Sequence, residues 1–408
     1  MAAVPSQSTG YERMAKTQFL QQGAALHRPA RHIWQAGLLL LAATSACGQA
    51  GPVANKGAGA SSANQAASGP AGRPFNVAEV ASFSTPWAMD FLPGSGGALT
   101  GMALVTEKEG TLWLVDTATG AKQQVAGVPA VRVAGQGGLG DVVAHPDFAS
   151  TRRVYLTFVE AGEGGSGAAL GYGTLEMGNG PPRLADFKVI WRQAPKVSGN
   201  GHFSHRIAFA PDGSIFLSSG DRQKLEPAQD QNSDLGKIIH MTAEGQRIGG
   251  HHHTMGHRNV LGLAFAPDGK LWASEMGPQG GDEFNLIVGG RNYGWPKASN
   301  GDNYGGEAIP DHRAGDGFEA PKVFWDPSIS PGDLLIYSGD RFPAWKGDAL
   351  IPALSGEALI RVDIEGERAT KADQWAMEER IRAVDQGPDG SVYLLQDKGA
   401  LLRLEPVR

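Results

Sequence analysis

Five polar stretches of this chain combine residue types that can do chemistry. The first, GNGHFSHR at 199–206, crowds His202, His205 and Arg206 into a glycine-containing segment. A loop histidine that titrates near working pH suits general-base duty, and His202 is the candidate; the simpler reading is a surface histidine capping a turn. The second, HHHTMGHRNVLG at 251–262, holds His251, His252, His253 and His257, then Arg258 and Asn259. Histidines at this spacing admit a zinc site, although no cysteine and no HExxH frame accompanies them. Arg258 and Asn259 are planar, multi-donor side chains that match a carboxylate or carbonyl ligand. The third, SEMGPQGGDEFNLIVGGRNYGWP at 274–296, offers backbone carbonyls at Gly and Pro positions beside Asp282 and Glu283. Calcium takes such oxygen-rich, irregular segments; an ordinary acidic turn is the alternative. In the fourth, ERIRAV at 379–384, Arg380 and Arg382 are two apart. On a strand that spacing puts both guanidiniums on one face, where they repel unless an anion lies between them. The fifth, GQGGLGDVVAHPDF at 135–148, sets Gln136 ahead of an apolar run. Together they describe a ring of donors, a candidate base and a candidate calcium site, and imply an anionic, oxygen-rich ligand.

These stretches lie between units of a repeat. A phrase built on Pro-Asp-Gly or Pro-Asp-Phe recurs at Pro146, Pro211, Pro267 and Pro388, in steps of 65, 56 and 121 residues. Each copy precedes a run that alternates apolar and polar, as in Ile215 and Leu217 or Leu271 and Ala273. That is a hairpin turn followed by a half-buried strand. Weaker copies occur at 93–116 and 343–363, and a spacing near 56 fits six units into 74–408. Repeats of this length built of strands mean propeller blades. The expectation is all-β, a six-bladed β-propeller of four-stranded antiparallel blades over 74–408, with only 372–382 reading as helical. Two stacked β-sandwiches explain the period poorly.

Composition agrees. The 408 residues include 58 glycines and 25 prolines without a collagen-like period, which points to many tight turns. The net charge of −6 argues against a nucleic-acid binder, which needs clustered positive charge. The single cysteine excludes an intramolecular disulfide and a cysteine zinc site. Ahead of the repeat, Arg28 and Arg31 precede the apolar run AGLLLLAATSA at 36–46, too short to span a membrane. This reads as an export signal over 1–47. Thr44-Ser45-Ala46-Cys47 resembles a lipobox, making Cys47 a candidate lipidation site; a soluble exported protein cut after Ala46 is the alternative. Met14 offers a second start. The Gly/Ala/Ser-rich segment 48–73 reads as a flexible tether. The expected location is the periplasm, with membrane contact only through a lipid anchor.

The blocks GQGGLGDVVAHPDF, HFSHRIAFAPDG, GHRNVLGLAFAPDGKLWASEMGPQGGDEFNLIVGGRNYGWP, SGDRFPAWKGDALIPALSGEALIRVD and RIRAVDQGPDG, in this order over roughly 76–405, resemble the soluble quinoprotein sugar dehydrogenases. The aldose sugar dehydrogenase branch is the nearer likeness, through LGYGTLE at 170–176 and FKVIWRQAPK at 187–196. These are six-bladed propellers that use pyrroloquinoline quinone and Ca²⁺ to oxidise aldoses at C1 to lactones, with electrons going to an acceptor other than oxygen. The resemblance implies that His202 is the general base, and that Arg258, Asn259, Arg380 and Arg382 hold the quinone and its carboxylates. It implies further that Gln136 touches cofactor or sugar, that the Gly277 and Pro278 carbonyls ligate the catalytic Ca²⁺, and that Glu283 and the Tyr293 carbonyl form a second, structural Ca²⁺ site. A monomer or homodimer is expected. The pattern is departed from at Ser355, usually a cation in the family, and at Met276, Gln279 and Asp326. Those departures keep open a cofactor-free, carbohydrate- or surface-binding propeller; a Ca²⁺-dependent lactonase-type propeller leaves Arg380 and Arg382 without a role.

Overall fold

The three Pro-Asp-Gly phrases fold alike in the computed structural model, which describes residues 72–94, 97–178 and 180–407. Gly213, Gly269 and Gly390 each take φ near +80°. Their N–H groups donate to the carbonyls of Ala210, Ala266 and Gly387, each at 2.9 Å. The aspartate of each phrase accepts the N–H two residues on, from Ser214, Lys270 and Ser391. The side chain thus completes the turn, and glycine supplies its left-handed position. The fourth copy has Phe148 in place of glycine and instead opens a short helix, Phe148–Thr151.

Each turn joins the first two strands of a blade, and six four-stranded antiparallel sheets result. Their first strands are Pro86–Phe91 (blade 1), Leu139–Ala144 (blade 2), Ser204–Phe209 (blade 3), Val260–Phe265 (blade 4), Leu335–Ile336 (blade 5) and Ile381–Gln386 (blade 6). Consecutive first strands touch all the way round. The last blade borrows its outer strand, Phe75–Ser82, from the beginning of the described chain, paired from Phe75 opposite Pro406 to Ser82 opposite Ala400. Apolar side chains fill the wedges between blades. Between blades 4 and 5, for example, Trp272, Phe284 and Trp325 pack with Ile336, Ile351 and Ile360. Each such side chain contributes about 1.5–3 kcal/mol by burial.

A polar bond staples every seam between neighbouring blades. Asp90 accepts the Ala144 N–H at 2.6 Å, and Asp141 accepts that of Ile207 at 2.8 Å. Ser218 donates to the Val260 carbonyl and Ser274 to that of Asp333, both at 3.1 Å. Asp333 accepts from Val384 at 3.2 Å, and Asp385 closes the ring by accepting from Phe91 at 3.1 Å. Arg206 sits among them, donating to Leu261 O, Gly332 O and Asp141 at 2.7–2.9 Å.

The helix expected at 372–382 does not form. Arg368–Ala376 is the outer strand of blade 5 and Ile381–Gln386 the first strand of blade 6. Trp375 explains it: the strand places its ring against Phe75 and Trp345, and that packing overrides the helix preference of the charged run. Cys47 and the leader lie outside the described residues, and of the tether only Gly72 and Arg73 are described. Among the described residues, no helix is long and apolar enough to cross a membrane.

Candidate active site

Blade 3 positions the candidate base. Ser204 pairs with Ser219 across its first two strands, so the residues just before one run beside the residues just after the other. His202 and Asp221 meet there, with 2.7 Å between Nδ1 and Oδ1. The Asp221 carboxylate also accepts the Trp295 indole N–H and the Gln223 N–H, each at 2.8 Å. Nδ1–H donated to the carboxylate leaves the lone pair on Nε2. Burial, then the Arg258 charge, lowers the His202 pKa against the opposing pull of Asp221. The ring is therefore neutral at neutral pH and able to accept a proton. Burial pushes the Asp221 pKa up, but the His202 ring and Arg258 outweigh it, and the carboxyl stays below its usual range.

The loop that carries His202 is strained and clamped. His202, Ser204 and His205 take φ of 49°, 55° and 54°, left-handed positions that cost non-glycine residues about 1–3 kcal/mol each. Arg222, fully buried, donates to the carbonyls of Gly201, Ser166 and Gly199 at 2.6–2.9 Å and lies 3.7 Å over the Phe203 ring. Gln136 accepts the His202 N–H at 2.7 Å. A Cβ on Gly220 would come 2.1 Å from the His202 carbonyl, so only glycine lets Asp221 approach.

Arg258 and Asn259 precede blade 4. Glu275 takes both of their backbone N–H groups with Oε1 and meets His257 Nδ1 at 2.9 Å with Oε2. Arg258 donates to Met276 O at 3.1 Å and to the Tyr304 hydroxyl at 3.3 Å, with its guanidinium 5.3 Å from the Trp295 ring. Asn259 accepts from the Ser204 N–H and hydroxyl at 3.2 and 3.1 Å, which ties it to the base loop.

Gly277, Pro278, Glu283 and Tyr293 line one cleft with Arg258 and Glu275. Glu283 stands opposite Glu275 in the ladder, both buried. Burial, then the Glu275 charge, drives the Glu283 pKa well up. Nearby, Asn285 Oδ1 and both His312 ring nitrogens are buried without a hydrogen-bond partner, and His312 Nε2 lies 3.7 Å from Glu283. Two crowded carboxylates, spare carbonyls and orphaned polar atoms fit a hard divalent cation.

Arg380 and Arg382 share a face, and the anion between them belongs to the chain. Asp397 accepts from Arg380 Nε at 2.9 Å and from Arg382 Nε and Nη2 at 2.9 and 2.8 Å. This pair lies at the same end of the ring as His202 but in blade 6, outside the cluster around Arg258. Ser355 is exposed and bonds Ser330 Oγ at 2.8 Å and Ser328 O at 3.2 Å. The histidine run does not assemble for zinc. His257 is taken by Glu275 and Thr254, and His253 packs on Phe216; among the described residues no group of three or more His, Cys, Asp or Glu is placed to hold a metal. His205 does not share that arrangement: it is buried, stacked on Trp87 at 4.9 Å. Asp221, Arg222 and Trp295 were missed from sequence. The signal for Asp221 was the aspartate ending the repeat phrase, two residues past a strand.

The glucose/sorbosone dehydrogenase family model matches residues 83–403. The aldose sugar dehydrogenase YliI of Escherichia coli is 36% identical over 340 residues, covering 79% of this chain and 90% of that protein. The crystal structure of the soluble aldose sugar dehydrogenase from Escherichia coli, in its apo form, superposes with a TM-score of 0.76 at 35% identity over 82% of this chain and all of that one. The PQQ-bound aldose sugar dehydrogenase of Streptomyces coelicolor gives 0.68 at 29% identity, over 81% and 98%. The chain belongs to the glucose/sorbosone dehydrogenase family.

Proposed function

We propose that this chain oxidises aldose sugars at C1 to lactones with pyrroloquinoline quinone and Ca²⁺, and passes the electrons to an acceptor other than oxygen. The observation that carries the reading is the buried His202–Asp221 pair, a neutral imidazole whose free nitrogen is held for a substrate hydroxyl. His202 Nε2 takes the C1 hydroxyl proton, and Asp221 stabilises the imidazolium that forms. When bound, the quinone with Ca²⁺ would supply the two-electron acceptor for the C1 hydride. Arg258 and Asn259 orient the quinone, and Arg380 and Arg382 present to its carboxylates the guanidinium edges that Asp397 leaves free. The Gly277 and Pro278 carbonyls would hold the catalytic Ca²⁺, and Glu283 with the Tyr293 carbonyl would hold the second. Gln136 positions the His202 backbone.

Purified protein titrated with pyrroloquinoline quinone and Ca²⁺ should gain the quinone absorbance and reduce an artificial dye when an aldose is added. No binding at high micromolar cofactor would sink the reading. The leader 1–47 and tether 48–73 support export to the periplasm with a lipid anchor at Cys47. Cys47→Ser should release the protein from the membrane fraction; unchanged partitioning rules the anchor out.

A further inference from the structure

Tyr304 is an aromatic ring that no core claims. It is 48% exposed, yet it is held in place. The two-residue pairings of Gln279 with Asp302 and Gly280 with Gly301 fasten its loop to the segment that follows Pro278. The turn bearing it is closed by Asn303 N–H to Glu307 O at 3.0 Å and Gly306 N–H to Asn303 O at 2.8 Å. Its hydroxyl accepts from Arg258 Nη2 at 3.3 Å, and its ring centroid lies 5.8 Å from that guanidinium. The polar tip is anchored and the ring is presented to solvent.

Arg258 links this ring to the base. On the inner side its guanidinium lies over Trp295, whose indole holds Asp221, which holds His202. It also bonds the Tyr304 hydroxyl and the Met276 carbonyl. This chain of contacts sets the exposed Tyr304 ring in the same cluster as His202. A pyranose has hydroxyls on its edge and C–H bonds on its faces, and an exposed aromatic face matches the latter.

We propose that Tyr304 is a specificity-determining wall of the aldose subsite, packing its ring against one face of the sugar while the C1 hydroxyl lies at His202. The inference rests on the sugar-oxidising reading above. The test uses full-length protein reconstituted with pyrroloquinoline quinone and Ca²⁺, comparing wild type, Tyr304→Ala and Tyr304→Phe with glucose and other aldoses in dye reduction. Loss of an aromatic contact worth about 0.5–1.5 kcal/mol should raise KM roughly two- to twelvefold in Tyr304→Ala, more than it lowers kcat. Tyr304→Phe keeps the ring and should recover most of that loss. Quinone affinity, read by absorbance titration, should be the same in all three. If wild type turns over and Tyr304→Ala leaves KM unchanged, or Tyr304→Ala loses quinone affinity instead, the wall assignment is overturned alone. If wild type itself shows no aldose-dependent dye reduction, the sugar-oxidising reading falls and the assignment falls with it.

Discussion

Asp221 is the residue whose replacement separates an oriented base from a loose one. Asp221→Asn keeps the size of the side chain but lets an amide N–H face His202 Nδ1, which favours the wrong tautomer. Turnover should fall roughly 10²–10⁴-fold, measured as kcat in dye reduction, while quinone binding persists. An Asn variant with full turnover would leave His202 without this partner's help. The acid limb of the pH profile carries a second check. Because burial and Arg258 lower the His202 pKa, kcat/KM for wild type should hold down to pH values below the ordinary histidine midpoint of about 6.5. His202 stood out in sequence as a loop histidine ahead of a strand. Asp221 did not, because its partner is 19 residues away and only the Ser204–Ser219 register brings the two together. The Arg380–Arg382 spacing correctly demanded an anion; that Asp397, beyond the next strand, supplies it depends on the hairpin and could not be read from ERIRAV.

At the scale of elements, the second and third strands of blade 4, Leu271–Glu275 and Asp282–Ile287, set Glu275 directly opposite Glu283. Two buried carboxyls facing each other in a ladder cannot both ionise cheaply unless something positive intervenes. Adding chelator should lower the melting temperature, and Ca²⁺ should restore it. Glu283→Gln should give a protein whose melting temperature responds less to either; a wild type indifferent to both would remove the cation from this cleft. Strands and turns of this kind were legible because the Pro-Asp-Gly phrase repeats with its own side-chain bond. The stretch 372–382 was not, since its Ala, Met, Glu and Arg favour a helix and only the distant Phe75 and Trp345 make Trp375 worth burying in a strand.

The whole ring is held at its centre by titratable staples. Burial raises the pKa of Asp333 to about 6 and of Asp385 to about 7. For a carboxyl raised above its unfolded value of about 3.9, the stability it contributes is present at low pH and lost as pH rises through the folded value. His205 runs the other way: burial holds it near 3, so the unfolded chain takes up a proton first and stability falls as pH drops below about 6.5. Between about pH 4 and pH 6 the two aspartates outweigh His205, so the melting temperature set by these groups should fall as pH rises through that range. Asp385→Asn, which can still accept the Phe91 N–H, should make that fall shallower; an unchanged fall between about pH 4 and pH 7 would show that other groups cause it. The six-blade count was legible from the spacing of the phrase, but not the origin of the outer strand of the last blade. That strand, Phe75–Ser82, is made before every blade and docks against Ala400–Pro406, which is made after them. Synthesis cannot finish the fold in the order it finishes the chain. Until the final residues emerge, blade 6 has an open edge and blade 1 lacks the Asp385 staple. Linking the two ends and opening the chain between blades 1 and 2 should leave the finished ring unchanged but alter how fast it closes.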